Sequence, residues 1–263
     1  MKEFFHVDYK IDYMFLNGDL TAGFVNLAAK VQETSLLHSL HCGYSMDWFY
    51  ENKCGFVLTG WNIEIMRYPK WGEKIRITTW PSKFKSMLAC RTFIGHDEDG
   101  NMLFKADSDW IFMNLLGKKP LRITQQMHER YAPMAEAAMG EKIRIQEGEG
   151  FDILATVPHK VTRGDIDTNR HVNNISYIAW AMDAVPEEYY SAHEPIKVMV
   201  KYSKECYLGE ELVVEVKFCG DEFLTYIRSK GDNELRCAIY SKWCEKRRVN
   251  YINRCEKGKN SGS

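Results

Sequence analysis

The chain has 263 residues, of which 45% are hydrophobic and 27% are charged, an ordinary composition for a soluble globular protein of one large or two smaller domains. Its formal net charge of -1 argues against a general nucleic-acid-binding protein, because no basic excess is available to neutralise phosphates. No segment is apolar enough for a signal peptide or a membrane span, and the 8 cysteines form no C-x-x-C pair, so we expect a cytoplasmic protein without a zinc or redox motif.

The first half of the chain predicts a strand, a helix and then a group of strands. Residues 4–16 alternate apolar and polar side chains, which is typical of a strand. Apolar spacing from Thr21 to His38 predicts a long helix, and a short helix is expected from Ser45 to Glu51. A meander of strands is then predicted at residues 55–68, 74–80, 86–96 and 103–114.

The second half repeats this order after an interruption. Residues 119–152 carry a polar helix at about 124–131 and a Gly- and Glu-rich spacer, which indicates a linker. An extended segment at 159–161 and a helix ending near Ala184 follow, with strands predicted at 195–202, 211–219, 223–230 and 235–246. We therefore expect an N-terminal repeat at 1–118, the linker at 119–152, a C-terminal repeat at 153–250 and a polar tail at 251–263.

Short matches occur in the same order in both halves and indicate an internal duplication. The matched segments are Phe24-Val25-Asn26 with His171-Val172-Asn173, Met66-Arg67-Tyr68 with Val200-Lys201-Tyr202, Gly72-Glu73 with Gly209-Glu210, and Trp110 with Trp243. In this pairing the first repeat has Phe24 and Ala22 where the second has His171 and Asn169. The sequence thus predicts an α+β fold of two repeats, each a long helix wrapped by an antiparallel sheet. The second repeat would carry a polar site, and the first would carry an apolar version of it that suits an apolar chain.

Three polar residues precede the helix of the second repeat. Asp167, Asn169 and His171 alternate, so in an extended segment their side chains would point the same way. Asn173 or Asn174 can cap the helix that follows. A carboxylate, an amide and an imidazole would then lie beside the free N–H groups of a helix N-terminus, an arrangement that suits acyl transfer.

The motif Asp-x-Asn-x-His-Val-Asn-Asn-x-x-Tyr-Ile-x-Trp, with Glu205-Cys206 farther along, resembles the acyl-acyl carrier protein (acyl-ACP) thioesterases of plant plastids and many bacteria. The resemblance covers nearly the whole chain, and the absence of a transit peptide favours a bacterial member. It implies a tandem hot-dog fold and a hydrolase that releases fatty acids from acyl carrier protein in fatty acid biosynthesis. It also implies a catalytic site of Asp167, Asn169, His171 and Glu205, with no metal or cofactor.

The resemblance suggests a role for each residue of the site. Glu205 would activate a water as a base, or attack the thioester carbonyl itself as a nucleophile. His171 and Asn169 would stabilise the developing charge, and Asp167 would orient the site. Cys206 matches a cysteine once proposed as the nucleophile of this family. Because neighbours on a strand point to opposite faces, only one of the pair is expected to face His171, and we favour Glu205 over Cys206.

The sequence leaves other readings open. An acyl-coenzyme A thioesterase would share the chemistry, whereas an acyl-binding or dehydratase-like hot-dog protein would lack hydrolysis. A dehydratase would need an acid on the helix after His171, and the nearest is Asp183. Asp167 and Asn169 could also be turn residues alone, with His171 a core histidine.

The partner surface and the assembly are less constrained by the sequence. An acidic carrier protein would dock on basic residues. The candidates are the run Lys246-Arg247-Arg248 and, as alternatives, Lys83, Lys85, Lys118 and Lys119. A monomer and a homodimer are both compatible with tandem repeats, and the preferred chain length depends on tunnel depth. No nucleic acid or membrane partner is expected.

Overall fold

The computed structural model describes residues 4–134, 136–146 and 148–246 of the chain. Its helices are α1 (Phe24–His41), α2 (Met46–Glu51), α3 (Gln125–Tyr131), α4 (Asn174–Asp183) and α5 (Glu187–Tyr190). Its strands are β1 (Phe5–Lys10), β2 (Cys54–Ile65), β3 (Lys74–Lys85), β4 (Leu88–Asp97), β5 (Met102–Asn114), β6 (Lys119–Pro120), β7 (Asp152–Lys160), β8 (His193–Tyr202), β9 (Glu211–Cys219), β10 (Glu222–Ser229) and β11 (Leu235–Glu245). Each helix and strand predicted from the sequence is present, with shifted ends.

The strands form one antiparallel sheet whose two halves mirror each other. The order is β1-β3-β4-β5-β2-β8-β11-β10-β9-β7, with β6 paired to β5. Strands β7 to β11 thus take the places of β1 to β5 in reverse. The halves join where β2 pairs with β8, from Gly60 opposite Lys201 to Glu64 opposite Lys197. This pairing makes the sheet continuous and hides an edge of each repeat.

The long helices α1 and α4 pack against each other and against the sheet. Helix α1 buries Val31 and Leu27, and α4 buries Ile178 at 0% exposure. Trp61 on β2 is fully buried between the layers. Burying each such side chain stabilises the fold by roughly 1.5–3 kcal/mol. The buried side chains of both repeats form one continuous apolar core. The predicted α+β architecture of two helix-and-sheet repeats is confirmed.

The turn before each long helix is the same in both repeats, and it corrects the pairing of the two halves. The Asn17 N–H donates to the Thr21 carbonyl at 2.8 Å, and the Asp167 N–H donates to the His171 carbonyl at 2.8 Å. Thr21 therefore occupies the position of His171. The predicted pairing of Phe24 with His171 is wrong by three residues, because it followed the shared letters Val-Asn and not the turn.

The segment that follows β2 and β8 needs a similar correction. The Ala22 N–H donates to the Pro69 carbonyl at 2.8 Å, and the Val172 N–H donates to the Cys206 carbonyl at 3.0 Å. Pro69 thus matches Cys206, and Tyr68 lies where the second repeat has the acidic residue before that cysteine. The predicted match of Met66-Arg67-Tyr68 to the end of β8 is therefore also wrong by three residues.

The remaining two pairings of the duplication are confirmed. The Trp110 indole N–H donates to Ser108 Oγ at 2.7 Å, and the Trp243 indole N–H donates to Ser241 Oγ at 2.8 Å. The paired glycines before β3 and β9 have φ of 79° and 82°, a left-handed conformation that glycine adopts without steric cost.

The stretch predicted as a linker contains a helix that belongs to the core of the first half. On α3, Met127 and Tyr131 are buried in a second apolar cluster with Tyr44 and Phe112. The domain boundaries at 118, 152 and 250 stay predictions. The polar tail 251–263, together with Arg247 and Arg248, lies outside the described residues. Within the described ranges, no helix is both long and apolar enough to cross a membrane.

Candidate active site

The polar motif forms a tight turn and not the extended segment that its alternation predicted. Asp167 Oδ1 accepts the N–H of Asn169 at 2.8 Å and the N–H of His171 at 3.3 Å. Arg170 adopts a left-handed φ of 63° between them. The Asn169 amide is exposed and donates to Asp167 Oδ2 at 3.4 Å. Asp167 therefore shapes the turn, and the turn delivers the His171 ring at its end.

Two contacts attach this turn to the rest of the second repeat. Asn173 Oδ1 accepts the Ile175 N–H at 3.0 Å and so caps α4, one of the two predicted caps. The Val172 N–H donates to the Cys206 carbonyl at 3.0 Å. The loop before α4 and the loop after β8 are thereby held together, which brings residues distant in sequence to one place.

Glu205 lies at the centre of a polar cluster in the loop after β8. Its Oε2 is 3.6 Å from His171 Nε2, and it accepts hydrogen bonds from the Tyr207 hydroxyl at 2.9 Å and from Lys118 Nζ at 2.5 Å. The rings of His171 and Tyr207 meet edge to face, with centroids 5.2 Å apart. The structure thus brings the predicted His171 and Glu205 together directly, whereas Asp167 and Asn169 act on them through the turn.

The surroundings of Glu205 favour its charged form. Partial burial raises the pKa of the Glu205 carboxyl, but hydrogen bonds from Lys118 and Tyr207 and the nearby His171 outweigh it, so the pKa lies below its usual value. The hydrogen bonds that Lys118 Nζ donates to Glu205 and to the Tyr207 hydroxyl raise the pKa of the Lys118 ammonium. Glu205 is therefore an ionised carboxylate at neutral pH, the form that can accept a proton or attack a carbonyl carbon.

Cys206 lies in a different environment from Glu205. Its residue is 0% exposed, and its backbone N–H donates to the Tyr177 hydroxyl at 3.1 Å inside the core. Burial raises the pKa of the Cys206 thiol to about 11, which disfavours a thiolate. The two neighbours do face apart, but strand alternation is the wrong reason, because both follow the end of β8 at Tyr202.

The sequence interpretation missed two residues of this cluster. Tyr207 follows Glu205 by two positions, and this short spacing is a signal that could have suggested it. Lys118 comes from the turn between β5 and β6 in the first half, and it was considered only as a docking residue. Its contact with Glu205 joins residues from the two repeats, which a single sequence without the register of the halves cannot reveal.

The first repeat keeps the scaffold of the site but not its chemistry. Tyr68, at the position of Glu205, is 6% exposed, and its hydroxyl donates to the Pro195 carbonyl at 2.5 Å. Thr21 stands at the position of His171, and its N–H donates to Asp19 Oδ1 at 3.0 Å. Asp19 also lies 3.4 Å from Lys246 Nζ. Tyr68, Thr21 and Asp19 thus bind partners within the protein. The first repeat has a buried tyrosine and no carboxylate at the position of Glu205.

A groove of about 530 Å³ runs between α1 and α4, along α1 from Val25 to Leu36 and along α4 from Ile175 to Ala179. Apolar side chains from both repeats line most of it, including Val25, Leu36, Ile166 and Ile175. Asn173, two residues after His171 in the sequence, lies on its wall together with the polar Gln32 and Ser176. A groove with apolar walls next to polar groups suits an acyl chain with a reactive head.

The chemistry of the cysteines and of the acidic residues adds two observations. Among the residues that the structure describes, no group of three or more His, Cys, Asp or Glu side chains is arranged to hold a metal ion. The cysteines at positions 42, 54, 90, 206, 219 and 237 are free thiols.

Comparison with protein families gives two adjoining matches. The family model for the acyl-ACP thioesterase N-terminal domain matches residues 2–131, and that for the acyl-ACP thioesterase C-terminal domain matches residues 154–258. The chain is 28% identical over 217 residues to the chloroplastic acyl-acyl-carrier-protein hydrolase FATB3 of Cuphea viscosissima, covering 77% of this chain and 52% of that one. It is 28% identical over 205 residues to the chloroplastic oleoyl-acyl carrier protein thioesterase 2 of Arabidopsis thaliana, covering 71% and 55%. The chain thus spans about half the length of these plant relatives.

Solved structures with the same fold include a bacterial and a plant protein. An acyl-ACP thioesterase from Bacteroides thetaiotaomicron superposes with a TM-score of 0.80 at 23% identity, covering 91% of this chain and 97% of that one. A 12:0-ACP thioesterase from Umbellularia californica superposes with a TM-score of 0.78 at 19% identity, covering 92% and 97%. The predicted tandem hot-dog fold is confirmed by these matches.

Proposed function

The chain belongs to the acyl-ACP thioesterase family, and from this premise we propose that it hydrolyses fatty acyl-ACP thioesters to free fatty acid and holo-carrier protein. The observation that carries the proposal is the ionised Glu205 carboxylate, which lies 3.6 Å from His171 Nε2. A base, a hydrogen-bonding ring and an apolar channel are the parts that thioester hydrolysis needs.

We assign Glu205 the role of general base, with His171 beside it. Within the described residues, its three polar contacts all fall on Oε2, which leaves Oε1 to accept a proton from water. The water oxygen bonds to the thioester carbon as that proton passes to Glu205. The resulting oxyanion is stabilised by the His171 ring and by N–H groups at the start of α4. The C–S bond then breaks, and the departing thiolate takes the proton back from Glu205.

Asp167 and Asn169 complete the proposed site in supporting roles. Asp167 fixes the turn by accepting the N–H groups of Asn169 and His171. The exposed Asn169 amide is available to the thioester carbonyl when substrate is bound. Cys206 is buried and protonated, so we do not assign it the nucleophile's role. If Glu205 attacked directly instead, an acyl-enzyme anhydride would form with loss of the thiolate, and attack of ¹⁸O-water at the Glu205 carbonyl carbon would place label in Glu205 after a single turnover.

We propose that the acyl chain enters the groove between α1 and α4 and that an acidic carrier protein delivers it. Val25 and Leu36 of the first repeat line the groove, which supports an acyl-chain role for that repeat. The free thiols at positions 42, 54, 90, 206, 219 and 237 support a cytoplasmic, reducing compartment. Sedimentation of the purified chain decides between the monomer and the homodimer that the sequence leaves open.

The proposal is tested by thiol release from acyl-ACP and acyl-coenzyme A, measured side by side over several chain lengths. Faster turnover of the carrier-protein substrate, abolished by Glu205→Gln, is the expected result. Preference for coenzyme A would replace the partner while keeping the chemistry. No thiol release from either substrate would overturn the proposal and leave an acyl-binding protein.

A further inference from the structure

We propose that Lys118, a residue of the first repeat, is a positioning residue that holds the Glu205 carboxylate of the second repeat in its reactive place. The inference rests on the proposed function, since it assigns a role in that reaction. It makes the site a joint product of both repeats, although the polar motif itself belongs to the second alone.

The contacts of Lys118 form a closed triangle. Its Nζ donates to Glu205 Oε2 at 2.5 Å and to the Tyr207 hydroxyl at 3.0 Å, and that hydroxyl donates to the same Oε2 at 2.9 Å. The ammonium also lies 5.7 Å from the centre of the Tyr207 ring. Three mutual contacts fix the direction of one carboxylate oxygen, and they direct the other oxygen away from the pair.

The turn that carries Lys118 is held firmly from both sides. The Gly117 N–H donates to Asn114 Oδ1 at 2.6 Å, and β6 pairs with β5 immediately after the turn. Lys118 itself has a φ of 47°, in the left-handed region that a non-glycine residue occupies at an energetic cost. The ion pair between Lys118 and Glu205, whose side chains are 59% and 38% exposed, contributes little to the stability of the fold. The strained lysine is therefore better explained by the position it gives to Glu205 than by stability.

The charge of Lys118 also has a consequence for pH. The groups that face Glu205 are Lys118 from the β5–β6 turn, Tyr207 from its own loop and His171 from the turn before α4. Loss of the lysine removes a cation and a hydrogen bond that lower the pKa of Glu205, so this pKa rises. Because the base must be ionised, activity is lost as pH falls through that pKa, and the acid limb of the pH profile moves to higher pH.

The experiment compares Lys118→Met, Lys118→Arg and Lys119→Met in the full chain. Methionine and arginine are unbranched at Cβ like lysine, so the left-handed turn is kept, and thermal unfolding checks this. We expect Lys118→Met to move the acid limb of kcat/KM upward by about one pH unit, a shift typical of losing an opposite charge in direct contact. At pH values on that limb, the rate then falls roughly tenfold. Lys118→Arg should leave the acid limb close to its wild-type pH, because arginine keeps a cation at this position.

Lys119→Met is the matched control, because it removes a positive charge from the neighbouring residue and leaves the contact between Lys118 and Glu205 in place. It is expected to leave the acid limb where it is. An unmoved limb in Lys118→Met, with a higher KM for acyl-ACP that depends on ionic strength, would overturn the inference and make Lys118 a docking residue. Titration of ¹³C-labelled glutamate carboxyls by NMR, with Glu205 assigned from Glu205→Gln, reads the same shift without turnover. A wild-type chain that releases no thiol would instead defeat the proposed function, and the NMR titration would still decide the role of Lys118.

Discussion

The two turns that precede α1 and α4 have the same backbone and opposite uses. In each, a residue with φ near 60°, Leu20 at 62° and Arg170 at 63°, closes a loop whose end leads into the long helix. In the second repeat this end presents His171 to Glu205. In the first it presents Thr21, which bonds back to Asp19. The scaffold therefore does not specify chemistry, and the side chains at two or three positions decide it.

The two repeats differ most at Glu205 and at the corresponding Tyr68. Each precedes a residue, Cys206 or Pro69, whose carbonyl accepts the N–H of the residue after the turn. Glu205 is partly exposed, and three neighbouring side chains lower the pKa of its carboxyl. Tyr68 is buried and binds the carbonyl of Pro195 on the central strand β8. In the proposed mechanism the second repeat uses this position for the base, whereas the first repeat uses it for a hydrogen bond that joins the two halves.

The largest expected effect comes from exchanging the proton acceptor. Glu205→Gln removes the base while keeping its shape, and we expect kcat to fall by about 10²- to 10⁴-fold. Tyr68→Phe, at the matching place, should leave kcat unchanged and cost about 1 kcal/mol of unfolding free energy, because the Pro195 carbonyl loses a partner. Single-turnover thiol release and chemical denaturation measure the two. Equal activity losses in both variants would mean that the first repeat also takes part in the reaction.

The matched pair His171→Ala and Thr21→Ala gives the next effect in size. His171→Ala removes a hydrogen-bonding ring beside the developing oxyanion, and we expect kcat/KM to fall by about 10²-fold. Thr21→Ala should leave the rate within error, since its side chain bonds only Asp19 among the described residues. Steady-state kinetics with a saturable acyl-ACP substrate separate kcat from KM. A full-rate His171→Ala enzyme would reduce the histidine to a core residue.

Cys206→Ala should affect stability and leave the reaction almost unchanged. The thiol is buried at 0% exposure, so its removal leaves a small cavity that costs about 1 kcal/mol. Because the pKa of the thiol is raised to about 11, no thiolate is lost at neutral pH. We expect a lower melting temperature with kcat within about threefold of the wild type. Loss of turnover in a folded Cys206→Ala variant would return the nucleophile's role to the cysteine.

Local sequence patterns predicted the elements but not their register. Alternation and helical spacing give the strands and helices, because each depends on neighbours a few residues away. The predicted pairing of Phe24 with His171 was wrong by three residues. It followed identical residues in the two halves, whereas the turn that the repeats share has a different sequence in each. Lys118 could not be assigned to the site, because its contact with Glu205 depends on β2 lying beside β8, which no local pattern encodes. His171 was identified from the local polar pattern before α4 and Glu205 from the family resemblance, but the distance between them depends on the fold.

The smallest effect tests why the first repeat has a carboxylate where the second has Asn169. Asp19 is partly buried, which raises the pKa of its carboxyl, but hydrogen bonds from Thr21 and the charge of Lys246 lower this pKa by more. A folded-state pKa below the unfolded value stabilises the protein above the unfolded pKa of about 3.9, and this contribution is lost as pH falls through the folded value. Asp19→Asn should therefore cost about 0.5–1 kcal/mol near pH 7 and nothing near pH 2, with discounting for the 32% exposure of the side chain.

Thermal unfolding of both proteins from pH 2 to pH 7 measures this difference, and thiol release at pH 7 should be the same for both. A melting-temperature difference that does not change with pH would show that the ion pair with Lys246 adds nothing and that the Asp19 turn acts through its shape alone. A pH-dependent difference with unchanged turnover would show that the ionised Asp19 carboxylate stabilises the first turn and takes no part in the reaction.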